Sequence, residues 1–414
     1  MKLNPCPKLA YGRSVDPATT IQRLEEILRP HDYWIHEEVV GPYLYWAGLF
    51  IDETQFRAMG KGIAALPSRA GALAEAAEWL ACLDTERLPG YTTAFQDDWH
   101  DTPLLPIEDL LSHIATATPP VLEQIKRRDA ARHWVDAYSL ARETTLKVPI
   151  EYIRQICGPN GKAAGNTIEE AIEHGILEVF ERRAHISVLR HRLVMPTIDS
   201  ATIDDPVVCE MMAFIRDKGI EIILKDLSFD GVLPCIGAYF HDPNIPQDVQ
   251  FHHFFKVGSS FNKIEALTRI FTEYCQGRRA DEFIDGSPAE QERVLRADFR
   301  ALPVTDGHED NFLSAFMFGM VPYAETEYLR AGPVVAFEPG PCYTDSLDDI
   351  RHAVRICERL EKECLVVDYT DPAIGFPVAQ VIVPGYSDVL PFHPARSPAL
   401  FKTLNRSEVL NMYG

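Results

Sequence analysis

Three times along this chain a glycine-rich turn runs into a helix, and that recurrence restricts the fold more than any other feature. GKGIAALPSRAGALAEAAEWLACL follows YLYWAGLFI at 43–51, an aromatic, β-rich run that reads as a buried strand. GPNGKAAGNTIEEAIEHGILEVFERRAHISVLRHRL follows strand-like residues 138–148, and KVGSSFNK leads into IEALTRIFTEYCQGR. A turn feeding a helix N-terminus is where anions bind. Elsewhere the period predicts helices at Thr19–Leu28, Ser68–Leu83 and LDDIRHAVRICERLEKE. Strands are predicted on either side of a turn within 219–241, at CLVVDYT and near VAQVIVPGY. Strands interleaved with helices in antiparallel-looking pairs give the α/β (α+β) class, with mixed or antiparallel sheets and one large core using most of the chain. Residues 84–140, richer in Pro and Asp, read as an insertion with helices at IEDLLSHI and PPVLEQIKRRDAARH.

The second of these helices carries an acidic stripe. Glu170, His174, Glu178 and Glu181 recur at i, i+4, i+8 and i+11, on one face, while Ala171, Ile172, Gly175, Ile176 and Val179 lie on the other. Two readings stand: a solvated acidic face, or a face awaiting cations, because no base relieves the stripe before Arg182. Glu75 and Glu78 are i, i+3 neighbours on the first glycine-led helix, and Arg269 and Glu273 are i, i+4 neighbours on the third. Carboxylates from separate helices can hold Mg²⁺ against nucleotide phosphates, with Arg182, Arg269 or Arg278 balancing the phosphate oxygens. Lys61 lies in GKG, which lacks the GxxxxGK[ST] spacing of a P-loop, so it closes a turn or touches an anion. His174, His185 and Cys275 read first as structural, and Asp368 and Asp371 as strand-ending turn residues.

Sixty-one acids against 40 bases in 414 residues give a formal charge of -21, which repels phosphate backbones and argues against nucleic acid as a partner. A nucleotide remains admissible if metal ions screen it. The start lacks a signal-like apolar core and no apolar run approaches the ~20 residues of a membrane span, so the expectation is a cytoplasmic protein with no membrane partner. Nine cysteines without a CxxC pair read as reduced and buried, with Cys357 and Cys364 placed for packing.

The run GNTIEEAIEHGILEVFER, with Asn166, Glu170, Glu178, Glu181 and Arg182, resembles the signature of the YcaO family. GALAEAAEWL resembles that family's first motif, keeping Glu75 and Glu78 but with Gly71 where a Ser would stand and Trp79 where an Arg would. EALTRIFTEYCQGR resembles the third, with Arg269, Glu273, Gln276 and Arg278, and Arg13 falls where relatives often carry a base. The resemblance implies one YcaO domain over residues 10–390 and a tail at 391–414, with ATP and Mg²⁺ as cofactors. It implies nucleotide contacts from Arg13, Glu75, Glu78, Asn166, Glu170, Glu178, Glu181, Arg182, Arg269 and Glu273, and metal ligands Glu75, Glu170 and Glu181.

It also implies an enzyme that phosphorylates the oxygen of a backbone amide in a peptide or protein substrate. The stand-alone branch points to thioamide formation with a TfuA-type sulfur-delivery partner. Azoline formation by a cyclodehydratase and a non-catalytic nucleotide-binding accessory role, suggested by Gly71 and Trp79, are the alternatives. A homodimer is compatible with such an enzyme.

Overall fold

Asp16 starts the first helix by accepting the Ala18 N–H at 2.9 Å, with Pro17 preset in the first turn. That helix, α1 (Pro17–Leu28), buries Ile21, Leu24 and Leu28. Replacing Asp16 by Ala leaves that first-turn donor without its side-chain acceptor and should cost about 1 kcal/mol in denaturant unfolding; an unchanged midpoint would show that the cap contributes nothing. The computed structural model describes residues 1–9, 12–51, 56–100, 102–106, 110, 131–246, 251–276, 278, 319, 321 and 326–388. The helices expected at IEDLLSHI and PPVLEQIKRRDAARH and the tail at 391–414 lie outside the described residues, apart from parts of the first two.

After α1 come β1 (Tyr33–Gly41), β2 (Leu44–Ile51) and β3 (Phe56–Gly62), an antiparallel sheet, then α2 (Ala65–Ala81). There follow β4 (Thr92–Ala94), β5 (Arg132–Ser139), β6 (Thr144–Pro149), β7 (Lys162–Ala164), α3 (Ile168–His191), β8 (Thr197–Ile198) and α4 (Pro206–Asp217). The chain continues through β9 (Glu221–Asp226), β10 (Cys235–His241), β11 (His253–Ser259), α5 (Lys263–Cys275), β12 (Val334–Val335), α6 (Ser346–Arg359), β13 (Leu365–Asp368) and β14 (Val378–Ile382).

One sheet has the order β4-β5-β13-β14-β7, with β6 on β5, and all its pairs are antiparallel. Another runs β11-β10-β9-β8-β12, where β12 and β8 pair parallel and the rest antiparallel. The α+β architecture with mixed and antiparallel sheets is thus as expected. Within the 84–140 stretch read as an insertion, β4 and β5 are members of the six-stranded sheet. The single strand-like run at 138–148 is the end of β5, a turn with Glu143 at φ 50°, and β6. Nothing in its period separates a hairpin from one strand.

The acid-bearing helix α3 lies between those two sheets. Ile172, Ile176, Val179 and Phe180 share a core with Tyr239 and Phe255 of one sheet and Val366 and Val381 of the other, closed by Ile350 and Ala353 of α6. Of the stripe, Glu170 is buried and His174, Glu178 and Glu181 are half-buried, so it is not an open solvated face. The backbones of β3 and α2 touch: a Cβ on Gly60 would lie 1.8 Å from the Ser68 carbonyl oxygen, and one on Gly71 3.3 Å from the Gly60 Cα. That contact sets α2 against the sheet and fixes where its two glutamates stand.

Candidate functional site

Three helices and three strands direct charged side chains into one cleft. α2 supplies Glu75 and Glu78, α3 Glu178, Glu181 and Arg182, and α5 Arg269 and Glu273. β3, β7 and β11 contribute Lys61, Lys162 and Lys256. The Met59 N–H donates to Glu75 Oε2 at 2.9 Å, fastening that carboxylate to the sheet. Lys256 Nζ lies 2.8 Å from Glu273 Oε1, and Lys61 Nζ pairs with the other oxygen of the same carboxylate. Arg182 Nε stands 3.5 Å from Glu178 Oε1. Glu178 and Glu273 keep 25% and 23% of their side-chain area exposed. Water reaches them, so the cleft is recessed rather than sealed.

The electrostatics divide these carboxylates into two kinds. Glu75 is exposed at the rim, and the atoms packed around it raise its carboxyl against the pull of the Met59 N–H and Lys61. Burial raises Glu78 to about 8; Lys162 opposes the shift, and the charges of Glu178 and Glu75 add to it. Glu178 rises to about 7 by burial and the neighbouring Glu181, against Arg182 and Arg269. Glu181 is raised too, by burial and Glu273, with Arg269 opposing. Glu273 goes the other way: burial is outweighed by Lys256 and Lys61, which hold it well below the usual carboxylate range. Four raised carboxyls therefore crowd one cleft, and since Glu273 engages both Lys61 and Lys256, Lys162, Arg182 and Arg269 are left to face them. Hard oxygen donors short of a cation are the donor set that Mg²⁺ accepts, and the residues present fit that ion.

Glu170 belongs to the other end of the same helix. It is only 2% exposed, and Arg13 Nη1 donates to its Oε1 at 3.0 Å, Ser14 Oγ to its Oε2 at 2.6 Å, and Asn166 Nδ2 to both oxygens at 3.3 and 3.2 Å. Burial would raise this carboxyl, but the Arg13 charge and these donors prevail and hold it below its ordinary value. Arg13 Nη1 also donates to His174 Nδ1 at 3.1 Å. Burial, then Arg13, Arg269 and Lys8, push that imidazole well below its usual range, so it is neutral. Eleven residues of helix separate Glu170 from Glu181, about 16 Å along the axis. One ion cannot touch both, whereas a nucleotide lying along the cleft can.

Arg278 and Lys61 depart from expectation, whereas Cys275, His185, Asp368 and Asp371 are the structural residues expected. Arg278 is fully buried: it donates to the Tyr274 hydroxyl at 2.8 Å, pairs with Asp242 at 3.2 Å and stacks on Phe251. It braces the core and does not face a phosphate. Lys61, read as a turn residue or an anion contact, instead pairs with a carboxylate of the cleft. Cys275 is a core residue whose thiol burial pushes up to about 12, and His185 is buried against Phe255. Asp368 and Asp371 accept the Thr370 and Ala373 N–H groups at 2.9 and 2.7 Å and serve turns. Trp79 stacks on Phe56 with ring centroids 4.2 Å apart, so it holds α2 to β3. The sequence reading missed Lys162, Lys256 and Ser14; Lys162 and Lys256 sit in the glycine-rich segments GPNGKAAGN and KVGSS, which is the one local signal they carried.

A family model described as "YcaO cyclodehydratase", ATP- and Mg²⁺-binding, matches residues 59–387. Among solved structures, a heterocyclase in complex with substrate and cofactor superposes with a TM-score of 0.69 at 20% identity, over 93% of this chain and 54% of that one. The YcaO of Methanopyrus kandleri bound with AMPPCP and Mg²⁺ superposes with a TM-score of 0.62 at 17% identity, over 97% and 98%. A protein from the tfuA 3′ region of Rhizobium leguminosarum bv. trifolii is 28% identical over 55% of this chain and 51% of its own length. The chain spans about two to three fifths of the curated relatives it matches. Among the described residues no helix is long and apolar enough to cross a membrane. With the family model covering most of its length and the fold shared by solved relatives, this chain belongs to the YcaO family.

Proposed function

We propose that this chain uses ATP and Mg²⁺ to activate a backbone amide of a peptide or protein, and that a sulfur nucleophile completes the reaction to a thioamide. The observation that carries the reading is the cleft in which Glu75, Glu78, Glu178 and Glu181 meet with raised carboxyls while Lys61 and Lys256 are engaged by Glu273. Those four carboxylates would hold the metal. Arg182, Arg269 and Lys162 would meet the phosphates, and Arg13, Asn166 and Glu170 would form the polar end of the nucleotide site.

When bound, Mg·ATP supplies the phosphoryl group with its charge masked by the metal. The amide oxygen would take that group, releasing ADP, as the amide N–H proton passes to solvent; hydrosulfide then adds to the amide carbon, the C–O bond breaks as phosphate departs, and the sulfur-borne proton returns to nitrogen to give the thioamide. The chain's own contribution is position and charge, held in place before the substrate arrives. The relative from the tfuA 3′ region favours a TfuA-type protein as the sulfur donor's carrier. A second reading, ring closure by a neighbouring Cys or Ser side chain to an azoline, draws on the heterocyclase of similar fold.

The deciding experiment incubates the chain with Mg·ATP, sulfide, a TfuA-type partner and candidate substrates, following ADP release and substrate mass together. Exchange of one oxygen for sulfur supports the thioamide; loss of one water supports the azoline. Tight Mg·ATP binding without substrate-dependent ADP release, across substrates and partners, would make the chain an accessory protein.

Loading is linked to pH. Burial raises Glu178 to about 7 and Glu78 to about 8 in the free protein, and each must lose its proton to bind a metal. Mg·ATP affinity should therefore rise from pH 6 to pH 8, by up to about tenfold per unit for each proton released. Calorimetry in buffers of different ionisation enthalpy measures those protons; an affinity flat across this range would remove the carboxyls from the site.

A further inference from the structure

Away from the carboxylates, at the end of the β10–β11 ladder, three histidines converge. His241 closes β10 and pairs with His253, which opens β11, and His252 precedes it. One ligand nitrogen from each lies within 4.8 Å of the others. The His252 ring centroid is 4.4 Å from that of His253 and 5.1 Å from that of His241, roughly perpendicular to both. Lys256 of the cleft is three residues further along β11, roughly 10 Å away. We propose that His241, His252 and His253 form a transition-metal site of the Zn²⁺ class, independent of the nucleotide reading.

The argument rests on what holds each imidazole. His252 is 5% exposed, and its Nδ1 lies 2.6 Å from the Ile245 carbonyl oxygen, so Nδ1 carries the hydrogen and Nε2 presents its lone pair. That Nε2 is buried and has no hydrogen-bond partner among the described residues. An orphaned buried acceptor calls for an explanation, and a metal ion supplies one. The other two rings are held at the same atom. His253 Nδ1 is 2.7 Å from the Tyr239 hydroxyl, and His241 Nδ1 is 3.5 Å from Glu221 Oε2.

His252 and His253, held through Nδ1 by a carbonyl and a hydroxyl, can turn Nε2 to one ion, and His241 offers a third nitrogen within reach. This is the outer-shell arrangement that orients histidine ligands. Arg330 Nη2 donates to His241 Nδ1 at 3.3 Å, so that ring presents Nε2 to an ion once the guanidinium turns wholly to Glu221, which already engages it at 3.2 and 2.7 Å and offsets its charge. Imidazole ligands suit Zn²⁺, Cu²⁺ or Ni²⁺ rather than Mg²⁺. Tetrahedral Zn–N bonds of about 2.0–2.1 Å place ligand nitrogens roughly 3.3 Å apart, so the three rings draw together on loading. Three protein ligands leave a fourth position for water.

The test uses the full chain, stripped with a chelator and kept in excess Mg²⁺ so that the carboxylate cleft does not compete. Zn²⁺ is titrated against a chromophoric chelator, and Co²⁺ serves as a spectroscopic probe. One Zn²⁺ per chain and an intense visible Co²⁺ band of tetrahedral type are expected. His252→Ala and His241→Gln should each weaken Zn²⁺ binding roughly 100-fold or more, while the thermal shift given by Mg·ATP stays unchanged. His241 is partly exposed at a strand end, so His241→Gln decides the matter if His252→Ala does not fold. Equal Zn²⁺ uptake by wild type and His241→Gln, or only a weak octahedral Co²⁺ spectrum, would overturn the site.

Discussion

The Glu178→Gln, Glu181→Gln double variant should lose the stabilisation that Mg·ATP gives the wild type. A ligand at about 100 times its dissociation constant stabilises the native state by about 2.7 kcal/mol, and with two of the four crowded carboxylates neutral that term should fall to near zero. The same variant should not be weakened in the absence of nucleotide. Burial holds Glu178 at about 7, above its value in the unfolded chain. The stability belonging to such a raised carboxyl is present below its unfolded value and is lost as pH rises through 7. At pH 8 the ionised pair is therefore a burden on the fold that glutamine removes, so the free variant should match or exceed the wild type there and gain on it between pH 5 and pH 8. Thermal melts with and without Mg·ATP at both pH values measure this. A retained nucleotide shift would place the nucleotide elsewhere, and a free variant weaker at pH 8 would make these carboxylates structural.

The largest loss of stability is expected from Lys8→Met. Lys8 Nζ lies 2.6 Å from Glu173 Oε1 and 3.0 Å from Asp349 Oδ2, all three side chains nearly buried. Burial and the Glu173 charge raise Asp349 to about 7 even with Lys8 beside it. Methionine fills the volume but leaves two buried carboxyls facing each other, and breaking a buried pair in this way costs about 3 kcal/mol or more. Asp349, raised to about 7, can be neutral in acid, so the loss should be larger at pH 8 than at pH 5.5. Denaturant titrations at the two values check it; a loss under about 1 kcal/mol, or one larger in acid, would contradict the account.

The same segment leads into the proposed nucleotide site. The Asn4 N–H donates to Glu169 Oε1 at 2.7 Å and the Cys6 N–H to Asp345 Oδ1 at 2.9 Å, so residues 4–8 cross the N-terminal ends of α3 and α6. Arg13 and Ser14, which hold Glu170, follow a few residues later. Detaching this strap should therefore weaken Mg·ATP binding as well as the fold.

The sequence by itself determined what repeats locally. Glycine turns before helices, the helical spacing of Glu170, Glu178 and Glu181, and the α+β class are all carried by short-range periodicity, and short-range geometry is the same wherever a helix lies. What the period could not say is which way a face looks. An acidic stripe in water and an acidic stripe in a cleft have the same spacing; only the two sheets packed around α3 decide between them. The tertiary structure likewise assigned the bases. Arg278, with a motif behind it, went to a core pair with Asp242, while Lys61, Lys162 and Lys256, with little to mark them, came from three separate strands to the carboxylates. The pairing of charges distant in sequence depends on strand order and helix packing, and so does the energy of each: desolvation and neighbouring charge, set by the whole fold, leave Glu273 ionised and hold Glu78 near neutrality.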